Sequence, residues 1–371
     1  LKRIISFSRF LYWLQILLLG SLVLGYLAPF ISPKLFWPLA FFGLALPYLL
    51  ILNLLFVFYW ALKGNKMFFI SLVFIALGYR SITALVQFNF QKQTPASEDA
   101  FKVLSFNVRV FDLYQWSKEK ETRNKILDFL KKEDPDILCM QEFFHRDQQQ
   151  ANFKFKTLDT LVELLTAKNY HFHKTISLRN NDHWGIITLS KFPIINKGVV
   201  EFDSKSDNIC IYTDLLYGED TLRIYNGHLA SIKLDKHDYK AIQGLNKNEY
   251  SSNFGKEKLI FQKLKQSFRR RAIQSESIRQ SISTSPFPVI FCGDLNDTPS
   301  SFAYRQIKGN LNDAFTEFGE GLGRTYIGDF PSFRIDYIFY SRQFIGQEYN
   351  THPEKLSDHH PISAKFTFKK E

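Results

Sequence analysis

Residues 286–301 read PFPVIFCGDLNDTPSS. Val289, Ile290, Phe291 and Cys292 form a short apolar run rich in β-branched and aromatic side chains, which predicts a buried strand over Val289–Cys292. Gly293, Asp294, Asn296 and Asp297 follow at once, and Thr298-Pro299 signals a turn. A buried strand that releases two carboxylates and an amide at its end either builds a Gly-Asp turn or presents those groups to a ligand. The choice between these depends on what the other strands carry at their ends.

From Phe101 onward, short apolar runs alternate with helical patterns. Strands are predicted at Lys102–Phe106, Ile137–Gln141, Gly185–Ser190, Ile209–Leu216, Leu222–Asn226, Val289–Cys292, Ile335–Tyr340 and Ile362–Phe368. A first helix lies between the first two strands, where Ile126, Phe129 and Leu130 make one apolar stripe ahead of Pro135. Others are predicted over Leu158–Ala167 and about Lys256–Ser283, the latter from Ile260, Leu264, Phe268, Ala272, Ile278 and Ile282. No internal repeat is found. The order predicts one mixed α/β domain of about 270 residues around a central sheet core.

Polar clusters recur at these strand ends. VLSFN ends in Asn107, DILCMQE in Gln141 and Glu142, and RIYNGH presents Asn226 and His228. FRIDYIF holds Asp336 inside a strand, and LSDHH places Asp358, His359 and His360 before the last one. Singly, each has an ordinary explanation. Asn107 can cap a turn, Glu142 can be a solvated strand end, and His228 or His359 can be a hydrogen-bonded structural histidine. Asp336 resists this, because a carboxylate buried in an apolar strand needs a partner.

Taken together and in this order, the motifs resemble the endonuclease/exonuclease/phosphatase superfamily, over about Lys102 to Phe368. The resemblance implies a four-layered α/β (α+β) sandwich of the deoxyribonuclease I-like type. It also implies roles. Glu142 would be the principal metal-binding carboxylate, with Asn107 and Asp358 beside it. Asp294 and Asn296 would contact the phosphate and the attacking water. His228 would donate to a non-bridging phosphate oxygen, and His359 would belong to the closing Ser-Asp-His signature, oriented by Asp336. Both Asp294 and the His359–Asp336 pair are candidate bases, and the pair is favoured. His360 sits at a variable family position and reads as non-catalytic. The implied cofactor is Mg²⁺, with Mn²⁺ as the alternative, since a hard cation takes carboxylates, water and substrate oxygen. Such a cation offsets the negative charge that makes phosphodiesters poor electrophiles, while a base activates water.

Residues 1–90 are of another kind. Three apolar stretches, Phe10–Ile31, Leu35–Leu62 and Met67–Val86, each approach or exceed the roughly 20 residues that cross hydrocarbon as a helix. They predict an all-α transmembrane region of about three helices. Trp13, Trp37, Tyr59 and Trp60 are placed as interfacial anchors. Arg80 makes the third stretch the weakest. A cleaved signal peptide is the alternative for the first, but its core is long and further apolar stretches follow. Lys2, Arg3, Arg9, Lys63 and Lys66 mark the cytoplasmic side. With three spans, that places the C-terminal domain outside the cytoplasm, in a protein integral to a bacterial inner membrane. Gln91–Ala100, polar and containing Pro95, reads as a linker to a catalytic domain at 101–371.

The net charge of +11 invites a nucleic-acid reading, yet seven of the 47 basic residues and none of the 36 acidic ones fall in the first 90 residues. Membrane topology accounts for that share. A local excess remains in Lys233–Arg271, with 11 basic and 4 acidic residues, including Phe268 within KLKQSFRRR. It is either a solvated amphipathic helix or a basic flank for phosphate-rich polymer or anionic lipid. The three cysteines, Cys139, Cys210 and Cys292, lie in strand-like runs without CxxC spacing and read as small buried hydrophobes. The expected activity is a membrane-anchored, metal-dependent phosphoesterase acting on nucleic acid or a phospholipid head group. A catalytically silent membrane-tethered binding module is the alternative, and no protein partner is inferable. Inositol polyphosphate 5-phosphatases usually carry Trp-Cys-Asp-Arg where this chain has FRIDYIF, which argues against that activity.

Overall fold

Side-chain alternation along short strands builds the C-terminal domain. The computed structural model describes residues 2–89, 97, 99–117, 121–148, 155–179, 181–202, 208–232, 254–328 and 333–369. One six-stranded sheet runs in the order Phe344–Thr351 (β13), Ile362–Phe368 (β14), Phe101–Asn107 (β2), Ile137–Arg146 (β3), Asp182–Ser190 (β5) and Asn169–Leu178 (β4). The other runs Asn312–Asp313 (β10), Asp336–Tyr340 (β12), Val289–Asp294 (β9), Asp220–His228 (β8), Ile209–Tyr217 (β7) and Ile194–Val200 (β6). β2 pairs with β3, and β8 with β9, in parallel; the other neighbours are antiparallel.

The two sheets pack face to face through Val103, Ile137, Cys139, Ile224, Ile290, Cys292 and Ile338. The intervening residues point the other way. Leu104, Phe106, Leu138 and Met140 meet Ile126 and Leu130 of Thr122–Glu133 (α6) and Leu161 of Thr157–Leu164 (α7). Tyr225, Phe291 and Phe339 meet Ile278 of Phe254–Ser283 (α8) and Tyr304 and Ile307 of Phe302–Lys308 (α9). The result is helices, sheet, sheet, helices: the four-layered sandwich. Each fully buried aliphatic or aromatic side chain contributes about 1.5–3 kcal/mol, so the period-two pattern fixes which face of each strand turns inward.

The expected inner strands are all present: Ile362–Phe368 has its expected bounds, Ile137–Gln141 runs five residues further to Arg146, and the others shift by one to three residues. The sequence reading missed β4, β6, β10 and β13, which are the four edge strands. An edge strand buries less and carries more polar side chains, so its alternation is weaker. The predicted helix at Leu158–Ala167 is the shorter α7, and α6 stops at Asp134, whose φ of 41° is left-handed, just before Pro135. All three cysteines are buried and free, as expected. Only the later part of Lys233–Arg271 lies within the described residues. There Phe268 and Arg271 are buried rather than solvated.

At the N-terminus, Lys2–Leu27 (α1) and Pro38–Leu62 (α3), joined through the short helix Pro33–Phe36 (α2), supply two stretches long and apolar enough to cross a membrane, Ser8–Phe30 and Pro38–Leu62. The third expected span differs. It is broken into Met67–Leu77 (α4) and Tyr79–Leu85 (α5), bent by 67° at Gly78. The Tyr26 ring fills the space beside Gly78, where a Cβ would lie 2.1 Å from the ring. Between the helices, the buried Gln15 amide donates to Ser71 (2.7 Å) and Asn53 (3.3 Å), a polar clamp that ties α1 to α3 and α4. Leu17, Leu55, Phe58 and Leu62 on these helices are exposed. Gln87–Phe88 (β1) pairs with Glu320–Gly321 (β11), and the predicted linker beyond it falls mostly outside the described residues.

Candidate active site

Strand parity assembles the site. On β8, Leu222 and Ile224 face the other sheet, so Asn226 and His228 do too. The same parity turns Asp294 inward after Ile290 and Cys292, and Asp336 ahead of Ile338. Register then aligns them. His228 pairs with Asp294 across β8 and β9, and Asp294 with Asp336 across β9 and β12. From the facing sheet, Asn107 ends β2 at the same edge, opposite Gln141.

Glu142 would point outward if β3 were regular. It does not, because the register with β5 shifts between Met140 and Phe143 and Glu142 takes a left-handed φ of 49°. Met140 and Phe143 both pack outward, leaving Gln141 and Glu142 on the inner side. Asn296 also has a left-handed φ, 50°, in the loop after Asp294. So do four consecutive residues after Asn107, from Arg109 to Asp112. For residues other than glycine such geometry costs about 1–2 kcal/mol each, and it clusters where side chains must be aimed.

The distances describe one pocket. Asn107 Nδ2 donates to Asp294 Oδ2 (3.0 Å) and Glu142 Oε1 (3.3 Å). His228 Nε2 lies 3.7 Å from Glu142 Oε1 and 3.7 Å from Asp294 Oδ2. His359 Nδ1 pairs with Asp336 Oδ2 at 2.9 Å, and its Nε2 is 3.7 Å from Asp294 Oδ2. The Asn296 backbone N–H donates to Asp294 Oδ1 at 2.7 Å, and its side chain reaches the Leu229 carbonyl at 3.0 Å. Asp358 sits at the rim, 3.3 Å from Arg109 Nε, rather than in this hydrogen-bonded group. His360 turns away toward the Glu354 carbonyl. Asp297 is not at the site either. It pairs with Arg271 at 2.9 Å and holds the loop from behind.

Sequence reasoning gave no role to four supporting residues. Tyr326 forms a β-bridge to His359 and packs edge-on against its ring at 5.3 Å. Thr325 Oγ1 accepts from the backbone N–H groups of Ile335 and Asp336. Arg109 stacks on Trp116 at 4.5 Å while reaching Asp358. Gln141 donates to Asn226 at 2.7 Å, bracing the sheets beneath the pocket. Only Arg109 and Gln141 adjoin predicted residues. Nothing local in GLGRTYIG marks Thr325 and Tyr326, because the contacts that matter are long-range.

Electrostatically the pocket is anionic and crowded. Burial pushes the Asp294 carboxyl up to about 6. Burial, then the like charge of Asp358, raises Glu142, although 36% of its side chain remains open and marks the way in. Burial holds His228 below the ordinary imidazole range. For His359, burial opposes charge, but Asp336 and then Asp294 outweigh it and raise the imidazole to about 10.

These features fit a hard divalent cation. Buried His228 Nε2 has no hydrogen-bond partner among the described residues, and two carboxylate oxygens flank it. The donors are oxygens, as Mg²⁺ or Mn²⁺ prefers. Asp294, Asp336 and His359 also offer ligand atoms within 4.8 Å of one another, but Asp336 and His359 are already committed to each other. Glu142 is therefore the stronger ligand candidate.

A family model described as "Endonuclease/Exonuclease/phosphatase family" matches residues 104–359, which include every residue of the pocket. A second, described as "Domain of unknown function (DUF8431)", matches residues 8–85. No curated protein matches. Among solved structures, a humanized D. rerio TDP2 carrying 14 mutations aligns with TM-score 0.50 at 15% identity, over 73% of this chain and 100% of that one. An endonuclease/exonuclease/phosphatase from Beutenbergia cavernae DSM 12333 aligns with TM-score 0.50 at 14% identity, over 72% of each chain. At such identities the likeness establishes the deoxyribonuclease I-like fold.

Proposed function

This chain belongs to the endonuclease/exonuclease/phosphatase family, and on that premise we propose that it is a membrane-anchored phosphoesterase, hydrolysing a phosphodiester or phosphomonoester of a nucleic acid or phospholipid head group by metal-assisted attack of water. The observation that carries this is the meeting of Asn107, Glu142, His228, Asp294, Asp336 and His359 at one edge of two sheets. A silent binding module would have no need for buried, mutually repelling carboxylates aligned with two imidazoles.

Glu142, with Asn107 and Asp358 beside it, would hold Mg²⁺ or Mn²⁺, which would neutralise charge on the bound phosphate. Asp336 fixes His359 with its Nδ1 proton toward the carboxylate, so Nε2 faces the pocket. The two groups are driven apart in proton affinity, His359 to about 10 and Asp294 to about 6. That changes the expected assignment. An imidazole kept charged by two carboxylates is poorly suited to take a proton from water, whereas Asp294 is well suited. Asp294 therefore acts as the base, positioned by Asn296 and Asn107. His359 and His228 donate to the phosphate oxygens, where negative charge grows.

The test is hydrolysis of bis(p-nitrophenyl) phosphate by the full chain in detergent with Mg²⁺ or Mn²⁺. Turnover should vanish with EDTA and in Glu142→Ala, Asp294→Asn and His359→Ala. Turnover that survives all three substitutions, or none by the wild type across DNA, RNA and phospholipids, overturns the reading.

A further inference from the structure

The two strands that carry the paired carboxylates each end against a membrane segment. After Asp294 and Asn296 the catalytic loop continues through Thr298 to Ser301, a sequence suited to a solvated turn. All four of Thr298, Ser300, Ser301 and Asp297 are instead buried, and the hydroxyls of Thr298 and Ser300 have no hydrogen-bond partner among the described residues. What covers the loop is α3. Gly43 lies so close that a Cβ on it would fall 2.6 Å from the Ser300 carbonyl oxygen and 2.9 Å from Ala28 Cβ. Both neighbours are under the closest separation real side chains tolerate, and the first is backbone.

The strand bearing Asp336 is held similarly. Two residues ahead of it, buried Arg334 donates through Nη2 to the carbonyl of Ala84 in α5 at 2.8 Å, and through Nη1 to Asp313 at 2.8 Å. Tyr337 then ties the supports together, its hydroxyl lying 2.9 Å from the Asp297 carbonyl and 2.8 Å from that of Arg334. Helix α3 makes this contact near its N-terminal end, which leaves most of its length for the bilayer. The 19 residues beyond Gly43, Leu44–Leu62, span about 28 Å at ~1.5 Å per residue, close to a hydrocarbon core of ~30 Å.

We propose that the membrane region is a component of the catalytic unit rather than a tether, with Gly43 of α3 acting as a positioning residue for the loop that carries Asp294 and Asn296. The consequence for rate rests on the phosphoesterase reading above; the mechanical support does not.

The experiment compares Gly43→Leu and the milder Gly43→Ala with Gly20→Leu, all in the full chain reconstituted in nanodiscs. Gly20 is the internal control, because it lies in the other long apolar helix and a Cβ on it would meet nothing within 4 Å among the described residues. Two quantities are read: backbone amide hydrogen exchange in peptides covering 294–301, and kcat and KM on bis(p-nitrophenyl) phosphate. Gly43→Leu should raise exchange across 294–301 and lower kcat at least tenfold, with KM changing less than threefold. Gly43→Ala should show the same effects at smaller size, and Gly20→Leu neither. Wild-type exchange in both Gly43 variants, or exchange raised equally by Gly20→Leu, overturns the proposal. Raised exchange with unchanged kcat also overturns it, since the loop would then move without consequence. An inactive wild type whose exchange still responds to Gly43 alone defeats the phosphoesterase reading and leaves the mechanical support standing.

Discussion

Asp294 and Asp336 lie directly opposite one another on adjacent antiparallel strands, both nearly fully buried, with no lysine or arginine between them among the described residues. Like charges in that relation destabilise a sheet. His359 resolves the conflict by pairing with Asp336 at 2.9 Å and approaching Asp294 at 3.7 Å. Asp336→Asn should therefore lower kcat on a small phosphodiester by about 10²-fold or more, because His359 loses its orienting acceptor. The same substitution should also lower the thermal midpoint near neutral pH, since Asp336 is the first of the groups that raise His359 to about 10 and its loss leaves a buried charged imidazole with only Asp294 nearby. Scanning calorimetry beside steady-state kinetics checks both. An unchanged kcat beside a lowered midpoint would mean that Asp336 serves the fold alone.

Glu142 combines a left-handed φ of 49° with a carboxylate aimed into the pocket. Its backbone and side-chain roles separate by substitution. Glu142→Gly removes the carboxylate and relieves the strain, so it should be more stable than Glu142→Ala by about 1 kcal/mol, while both lose activity. Both should also lose Mn²⁺ binding measured by calorimetry. Equal Mn²⁺ affinity in wild type and Glu142→Ala would move the cation to other ligands.

Arg271 and Asp297 form a buried pair behind the catalytic loop, at 2.9 Å, with Arg271 also donating to the Ala230 carbonyl. Removing one partner strands the other charge, so Arg271→Ala should cost about 3–5 kcal/mol in denaturant unfolding. Arg271→Lys should recover only part of that, because an ammonium cannot reproduce the guanidinium fork. A loss below about 1 kcal/mol would show that the pair contributes little.

What the sequence displayed follows from where each element sits. Central strands such as Val289–Cys292 are buried on both faces and announce themselves as apolar runs, and the groups at their ends, Asn107, His228 and Asp294, were legible for the same reason. The edge strands β4 and β13 bury one face and mix Lys174, Glu348 and Asn350 among their apolar residues. Glu142 was found from its motif, but the bulge that aims it was not, since a shift of register leaves no mark on composition. The contact of Gly43 with Ser300 joins residues 257 positions apart and was invisible to any local pattern. The bend at Gly78 was hidden likewise, because it depends on the Tyr26 ring.

His171 makes the stability of the domain depend on pH at a distance from the pocket. It lies on β4, and its Nδ1 meets Thr213 Oγ1 of β7 in the opposite sheet at 3.0 Å. Burial, then the nearby Lys197 and His173, lowers it from 6.5 to about 4. Between those values the unfolded chain holds a proton that the folded chain does not, so protonation there favours unfolding. The contribution is complete above pH 6.5, declines as pH falls toward 4, and changes no further below it. His171→Asn should flatten the unfolding free energy across this window, measured by urea denaturation at half-unit intervals. A variant whose pH profile keeps the wild-type slope between 6.5 and 4 would show that His171 is not the titrating group.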